Sequence, residues 1–214
     1  MNTKNRMTMP LAADAMQELK KAVAEYQLIV VPTDTVYGIG VKPTDPDAIT
    51  KLLAAKGRDR QMPPPVVGAS LTDLQAFCAP VKYDLEALAE TFWPGALTLI
   101  LPTAEGFTLD LSTNNRTIAI RVPGHEGLLS VLQQTGPLAL TSANLTGKPP
   151  ATTCAQAIEY FGSKVSFYLE DDTEGSGTAS TILDLTQDTP TILRAGGVGA
   201  SELSDCLGTQ VAGR

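Results

Sequence analysis

The chain has 214 residues, of which 43% are hydrophobic and 18% charged, a balance that supports a sizeable core and excludes a disordered chain. Its net charge of −7 excludes a protein that coats nucleic acid through its phosphates, so any anion site must be built locally from few cations. Three scattered cysteines, Cys78, Cys154 and Cys206, and a lone histidine, His125, offer neither a disulfide framework nor a zinc site.

Amphipathic spacing of Leu11, Ala15, Leu19, Ala22 and Tyr26 predicts a helix over 11–26. The β-branched run Leu28-Ile29-Val30-Val31 follows as a buried strand, closed by Pro32 and leading into Thr33-Asp34-Thr35. Asp45-Pro46 caps a second helix, which stops at Lys56-Gly57-Arg58. Pro63-Pro64-Pro65 must be extended, and Val66-Val67 reads as a short strand. Ser70 or Thr72 opens a short helix, and another covers roughly 84–92, with LEALAETF in it, broken by Trp93-Pro94-Gly95.

Strands are expected at 96–101 and at 117–122, where TIAIRV alternates. A helix at 127–134, a strand at 137–141, a helix at 155–161, strands at 165–169, 180–185 and 191–194, and a helix from Ser201 complete the chain. The irregular alternation predicts one α/β domain with a mixed sheet, spanning 1–214. No apolar run approaches the ~18 residues of a membrane span and the N-terminus has no signal core, so a cytoplasmic protein without a membrane partner is expected.

Walker, dinucleotide, zincin, nucleophile-elbow and EF-hand signatures are absent. What remains is hydroxyls and cations at strand and helix ends. Lys56, Arg58 and Arg60 follow a helix, where favourable interaction with its dipole is the ordinary explanation and phosphate binding the sharper one. Arg121 and Arg194 end two otherwise apolar strands, so each head group either emerges there or pairs with something buried. Thr141-Ser142-Ala143-Asn144 and Ser180-Thr181 deliver hydroxyls from strand ends, as caps or Asx turns also would. Together they describe one arginine-lined cleft for an anionic ligand.

PTDTVYGIG, the KGR turn, FWPGALTL, TIAIRVPGH, TSAN, STI and ILRAG occur in the order and approximate spacing of the YrdC-like family, over residues 14–208. The chain thus resembles the threonylcarbamoyl-AMP synthases of that family. The resemblance implies a single YrdC-like domain, a twisted mixed β-sheet flanked by helices, with an open anion-binding cleft. It implies synthesis of threonylcarbamoyl-adenylate and pyrophosphate from L-threonine, bicarbonate and ATP. Partner proteins would then transfer the threonylcarbamoyl group to tRNA, giving N6-threonylcarbamoyladenosine, and tRNA itself is a candidate partner.

Carried over by motif, Thr33, Arg121 and Ser180 would hold threonine. Lys56, Arg58, Thr117, Ser142, Asn144 and Arg194 would hold ATP, with Lys56 and Arg58 catalytic and Mg²⁺ carried mainly by the ATP phosphates. No protein metal site is implied. Met62 and Val67 stand where many relatives have an ATP-contacting asparagine and a threonine-contacting histidine, so neither role transfers; Arg60 is the candidate replacement for the phosphate contact. Pro150 and Ala179 also depart from the usual serine and acidic residue. Two other readings compete: a double-stranded RNA or tRNA-binding translation factor, and a YciO-like paralogue with a different carbamoyl or nucleotide substrate.

Overall fold

In the computed structural model, residues 6–57, 63–107, 116–172, 175 and 177–213 are described. Eleven strands form one mixed sheet: β1 (Arg6–Thr8), β2 (Ile29–Val31), β3 (Gly38–Val41), β4 (Val66–Val67), β5 (Leu97–Pro102), β6 (Thr117–Arg121), β7 (Leu138–Ser142), β8 (Phe167–Glu170), β9 (Thr181–Asp184), β10 (Thr191–Arg194) and β11 (Ala212–Gly213). Their spatial order is β1-β8-β2-β3-β7-β4-β6-β5-β9-β10-β11. Short turns and helical crossovers alternate, so parallel and antiparallel pairs are interspersed, as the irregular element order predicts.

Among the described residues seven α-helices flank it: α1 (Ala13–Ala24), α2 (Pro46–Lys56), α3 (Leu71–Gln75), α4 (Leu85–Phe92), α5 (Glu126–Thr135), α6 (Cys154–Phe161) and α7 (Ala200–Leu207). Their starts follow capping chemistry. Asp45, Ser70, Asp84 and Thr153 each accept a backbone N–H of the first turn. His125 does the same for α5 through Nδ1, a cap not anticipated from sequence. The last helix is capped two residues earlier than expected, at Gly199, whose N–H bonds the Glu202 carboxylate.

Period-two alternation sorts side chains onto two faces. Val30, Ile39, Val66, Leu97, Leu99, Ile120 and Leu183 join one apolar layer with residues of α2, α4, α6 and α7. Ile29, Val31, Val67, Leu138, Leu140 and Leu169 point the other way, against Leu19 and Val23 of α1 and Leu128, Val131 and Leu132 of α5. The Gly-Ile-Gly step in β3 is dictated by this packing. A Cβ at Gly40 would lie 2.7 Å from Leu140 Cδ1 and 2.9 Å from the Ala139 carbonyl.

The second layer covers only half of its face. Register places Arg121 beside Val67, Ile120 beside Leu99, Leu99 beside Leu183 and Arg194 beside Ile182. Thr117, Ala119 and Arg121 of β6, Ile100 of β5, Ile182 of β9 and Arg194 of β10 therefore share the face on which α1 and α5 lie. These six residues are only partly buried or exposed, and Ala119, Ile100 and Ile182 join neither apolar layer. Among the described residues, no helix packs on this half. It is the floor of a cleft.

Candidate active site

The register places β2's exit into Thr33-Asp34-Thr35 and the end of β7 at Ser142 on one edge of the sheet. β6 ends at Arg121, β9 begins after Ser180 and β10 ends at Arg194 on the other edge, level with the start of β7, and the Asp34 side chain bridges to it by bonding Arg121. Gly95 joins the Arg121 edge because its N–H bonds the Val122 carbonyl at 2.9 Å.

Thr33 organises its own turn. Its hydroxyl, in a side chain almost fully buried, donates to the Val36 carbonyl at 2.6 Å and accepts from the N–H groups of Thr35 and Val36. With that hydrogen spent on Val36, the 3.0 Å contact with Thr35 Oγ1 is one in which Thr35 donates. A ligand bonding Thr33 must share an oxygen already in use. Gly175 lies directly over this turn, where any Cβ would overlap the Thr35 carbonyl.

Arg121 pairs with a buried partner, the second of the two outcomes its sequence setting left open. Nη2 donates to Asp34 Oδ2 at 2.6 Å and Nε to the Gly95 carbonyl at 2.8 Å; the side chains are 11% and 17% exposed. Burial pushes the Arg121 guanidinium down from its ordinary pKa, Asp34 opposes that, and the charge of Arg194 adds to it. Arg121 and Arg194 thus lie in each other's field. Burial lowers Arg194 as well.

Arg194 is held on Ser180, whose hydroxyl also meets Thr98 Oγ1 at 2.8 Å. Thr98 was not singled out from sequence, because a single threonine inside ALTLIL carries no signal that it meets a serine 82 residues away. Asp34 and the Gly95 carbonyl were missed for the same reason.

Lys56 differs from its reading as a helix-end cation. It is 3% exposed, and Nζ donates to the carbonyls of Ser142 and Asn144 and to Asn144 Oδ1. Gly57 permits this by terminating α2 in the left-handed conformation at φ +64°. Ser142 Oγ donates to Asn144 Oδ1 at 2.6 Å, and Asn144 Nδ2 donates to the carbonyls of Leu145 and Lys148. Lys56, Ser142 and Asn144 are therefore one interlocked unit that shapes the loop after β7.

Thr117 sits at the opposite end of β6 from Arg121 but on the same face. Four residues of strand separate them by about 13 Å, so a ligand reaching both must lie extended along the cleft floor. Arg58, Arg60 and Met62 lie outside the described residues. Val67 is buried in the second apolar layer, next to Arg121 on the same face of the sheet.

The arrangement offers two partly desolvated guanidiniums, a ring of hydroxyls and an extended floor, which suits a zwitterion or a phosphate ester. The family model for Sua5/YciO/YrdC proteins, described as "Telomere recombination", matches residues 21–196. The chain belongs to the Sua5/YciO/YrdC family. One member, from Mycobacterium tuberculosis, is 38% identical over 191 residues, 89% of this chain and 88% of its own. The "Threonylcarbamoyl-AMP synthase" of Pyrococcus abyssi is 34% identical over 87% of this chain and 55% of its own length.

The crystal structure of Pyrococcus abyssi Sua5 complexed with L-threonine superposes with a TM-score of 0.87 at 31% identity, covering 97% of this chain and 62% of that one. The Sua5/YciO/YrdC domain therefore accounts for the mixed sheet and flanking helices described above. This chain spans only part of the longer Pyrococcus protein.

Proposed function

We infer that this protein is a threonylcarbamoyl-AMP synthase, joining L-threonine, bicarbonate and ATP into threonylcarbamoyl-adenylate and pyrophosphate. The observation that carries this reading is the likeness, over nearly the whole chain, to a threonine-bound family member, with a buried arginine at the mouth of the β2 turn. Arg121 receives the threonine carboxylate on the guanidinium nitrogens left over after its bonds to Asp34 and Gly95. Ser180, fixed by Arg194 and Thr98, lies beside it, and Thr33 shapes the wall opposite.

The threonine ammonium releases a proton to solvent, and the free amine adds to CO₂ with loss of a second proton to solvent, or to bicarbonate with loss of water, giving an N-carboxylate. A carboxylate oxygen then attacks the α-phosphorus of ATP as the bond to pyrophosphate breaks. A carbamate is already nucleophilic, so the protein contributes position and charge neutralisation and no general base. Arg194, Arg58 and Arg60 neutralise the phosphates. The loop built by Lys56, Ser142 and Asn144 cradles the nucleotide, and Thr117 contacts its far end.

Mg²⁺ fits this site as a passenger on ATP, since phosphate oxygens and water are its preferred ligands and no cluster of three or more metal-ligating side chains occurs among the described residues. It would supply charge neutralisation of the leaving pyrophosphate. The adenylate then passes to threonylcarbamoyl-transfer proteins that modify tRNA. The acidic total makes the chain itself a poor general RNA binder.

The test is pyrophosphate release with each substrate withheld in turn, and with serine and other amino acids replacing threonine. Release that needs ATP, bicarbonate and threonine together supports the synthase. Equal turnover with an unrelated substrate points to a paralogue, and RNA affinity with a steep salt slope but no turnover points to a translation factor.

A further inference from the structure

Asp34 holds Arg121 with one oxygen only. Its second oxygen, Oδ1, is shielded from solvent and has no hydrogen-bond partner among the described residues. A buried carboxylate oxygen without a donor is costly, and such groups are normally satisfied. Gly124 leaves room on one side of the same carboxylate, where an added Cβ would lie 3.2 Å from Oδ2. The side chain as a whole remains 17% exposed, so it is reached from the cleft.

Arg121 offers an anion-binding edge, and a carboxylate with an unmet need for a donor stands beside it. An α-amino acid carries a carboxylate and an ammonium on one carbon. We propose that Asp34 is a specificity-determining residue whose Oδ1 accepts a hydrogen bond from the substrate's α-ammonium, so that Asp34 and Arg121 together read the zwitterion. Turning the carboxylate about its own Cβ–Cγ bond brings an oxygen to the ligand while another stays on Arg121. The proposal rests on the reading of this cleft as a threonine site, and it goes beyond that reading by assigning the ammonium.

The experiment measures calorimetric binding of two probes, L-threonine and its analogue bearing a hydroxyl in place of the α-amino group. Wild type should prefer L-threonine by about tenfold or more, as charge-assisted bonds do. In Asp34→Asn the preference should shrink to about twofold or less, because the amide keeps the shape and loses the charge. Asp34→Glu should restore part of it, and ATP binding by each variant reports that the fold is intact. If both probes weakened equally in Asp34→Asn and the preference survived, Asp34 would merely prop Arg121 and the proposal would be overturned. A wild type that bound neither probe would overturn the threonine reading itself, and this proposal with it.

Discussion

Arg194 grips Ser180 through three hydrogen bonds: Nε and Nη2 donate to its carbonyl at 3.0 and 2.8 Å, and Nη2 donates to its hydroxyl at 2.9 Å. A planar fork from β10 thereby fixes the residue that opens β9. Lysine cannot reproduce this, because its compact ammonium lacks the fork. Arg194→Lys should raise the KM for ATP or threonine by about tenfold with little change in Tm, since the side chain it replaces is largely surface. Steady-state kinetics with each substrate varied would show unchanged KM values if the grip were incidental.

Lys56 is buried and bonded to both Ser142 and Asn144, so its loss affects more than ligand affinity. Lys56→Met keeps the aliphatic stem and strands those acceptors. The expected cost is about 2–3 kcal/mol in urea unfolding, in the range for hydrogen bonds to charged groups. ATP affinity should fall as well. A variant of wild-type stability that lost only ATP affinity would show that Lys56 acts on phosphate alone.

Gly196 lies against the strand start that carries Ser180. Any Cβ there would overlap the Ala179 carbonyl and the Ser180 backbone. Backbone atoms cannot rotate aside, so Gly196→Ala should destabilise the protein by about 1–3 kcal/mol or more and displace Ser180. Denaturant midpoints and threonine binding should both report it; normal values for both would mean the segment relaxes freely.

Alkaline pH provides a test remote from the cleft. The Tyr168 hydroxyl donates to the Gly162 carbonyl at 2.7 Å, and burial pushes its pKa from 10.0 up to about 12. Tyr37 is raised by burial too. Between the unfolded value and the folded one, the native state keeps a proton that the unfolded state has released. Stability is therefore fully present below pH 10 and falls as pH rises toward 12. Tyr168→Phe should flatten part of that slope. Tyrosinate absorbance followed with stability would contradict this if Tyr168 ionised near its ordinary value in the folded protein.

Much of this was legible because it depends on local pattern. The alternation of TIAIRV already separates Ile118 and Ile120, which enter the core, from Thr117, Ala119 and Arg121, which line the cleft floor. The capping signal at Asp45 placed a helix start correctly, and of the two candidates Ser70 and Thr72 it is Ser70 that caps α3. Partnerships across the sheet were not legible. Nothing in PTDTVYGIG says that Asp34 meets Arg121 87 residues later.

The same limit explains Lys56. Its neighbours in sequence read as an exposed helix end, whereas its fate was decided by Ser142 and Asn144, more than 80 residues on. The edge strands β1 and β11, of three and two residues, escaped notice because they are too short for any periodicity to show.

The central claim is that this cleft makes threonylcarbamoyl-adenylate. Purified protein incubated with ATP, Mg²⁺, L-threonine and isotopically labelled bicarbonate, then analysed by mass spectrometry, tests it most directly. The account predicts an adduct of adenylate and threonine that carries the labelled carbon and appears together with pyrophosphate. ATP consumed without that labelled adduct, with threonine and bicarbonate both present, would contradict it.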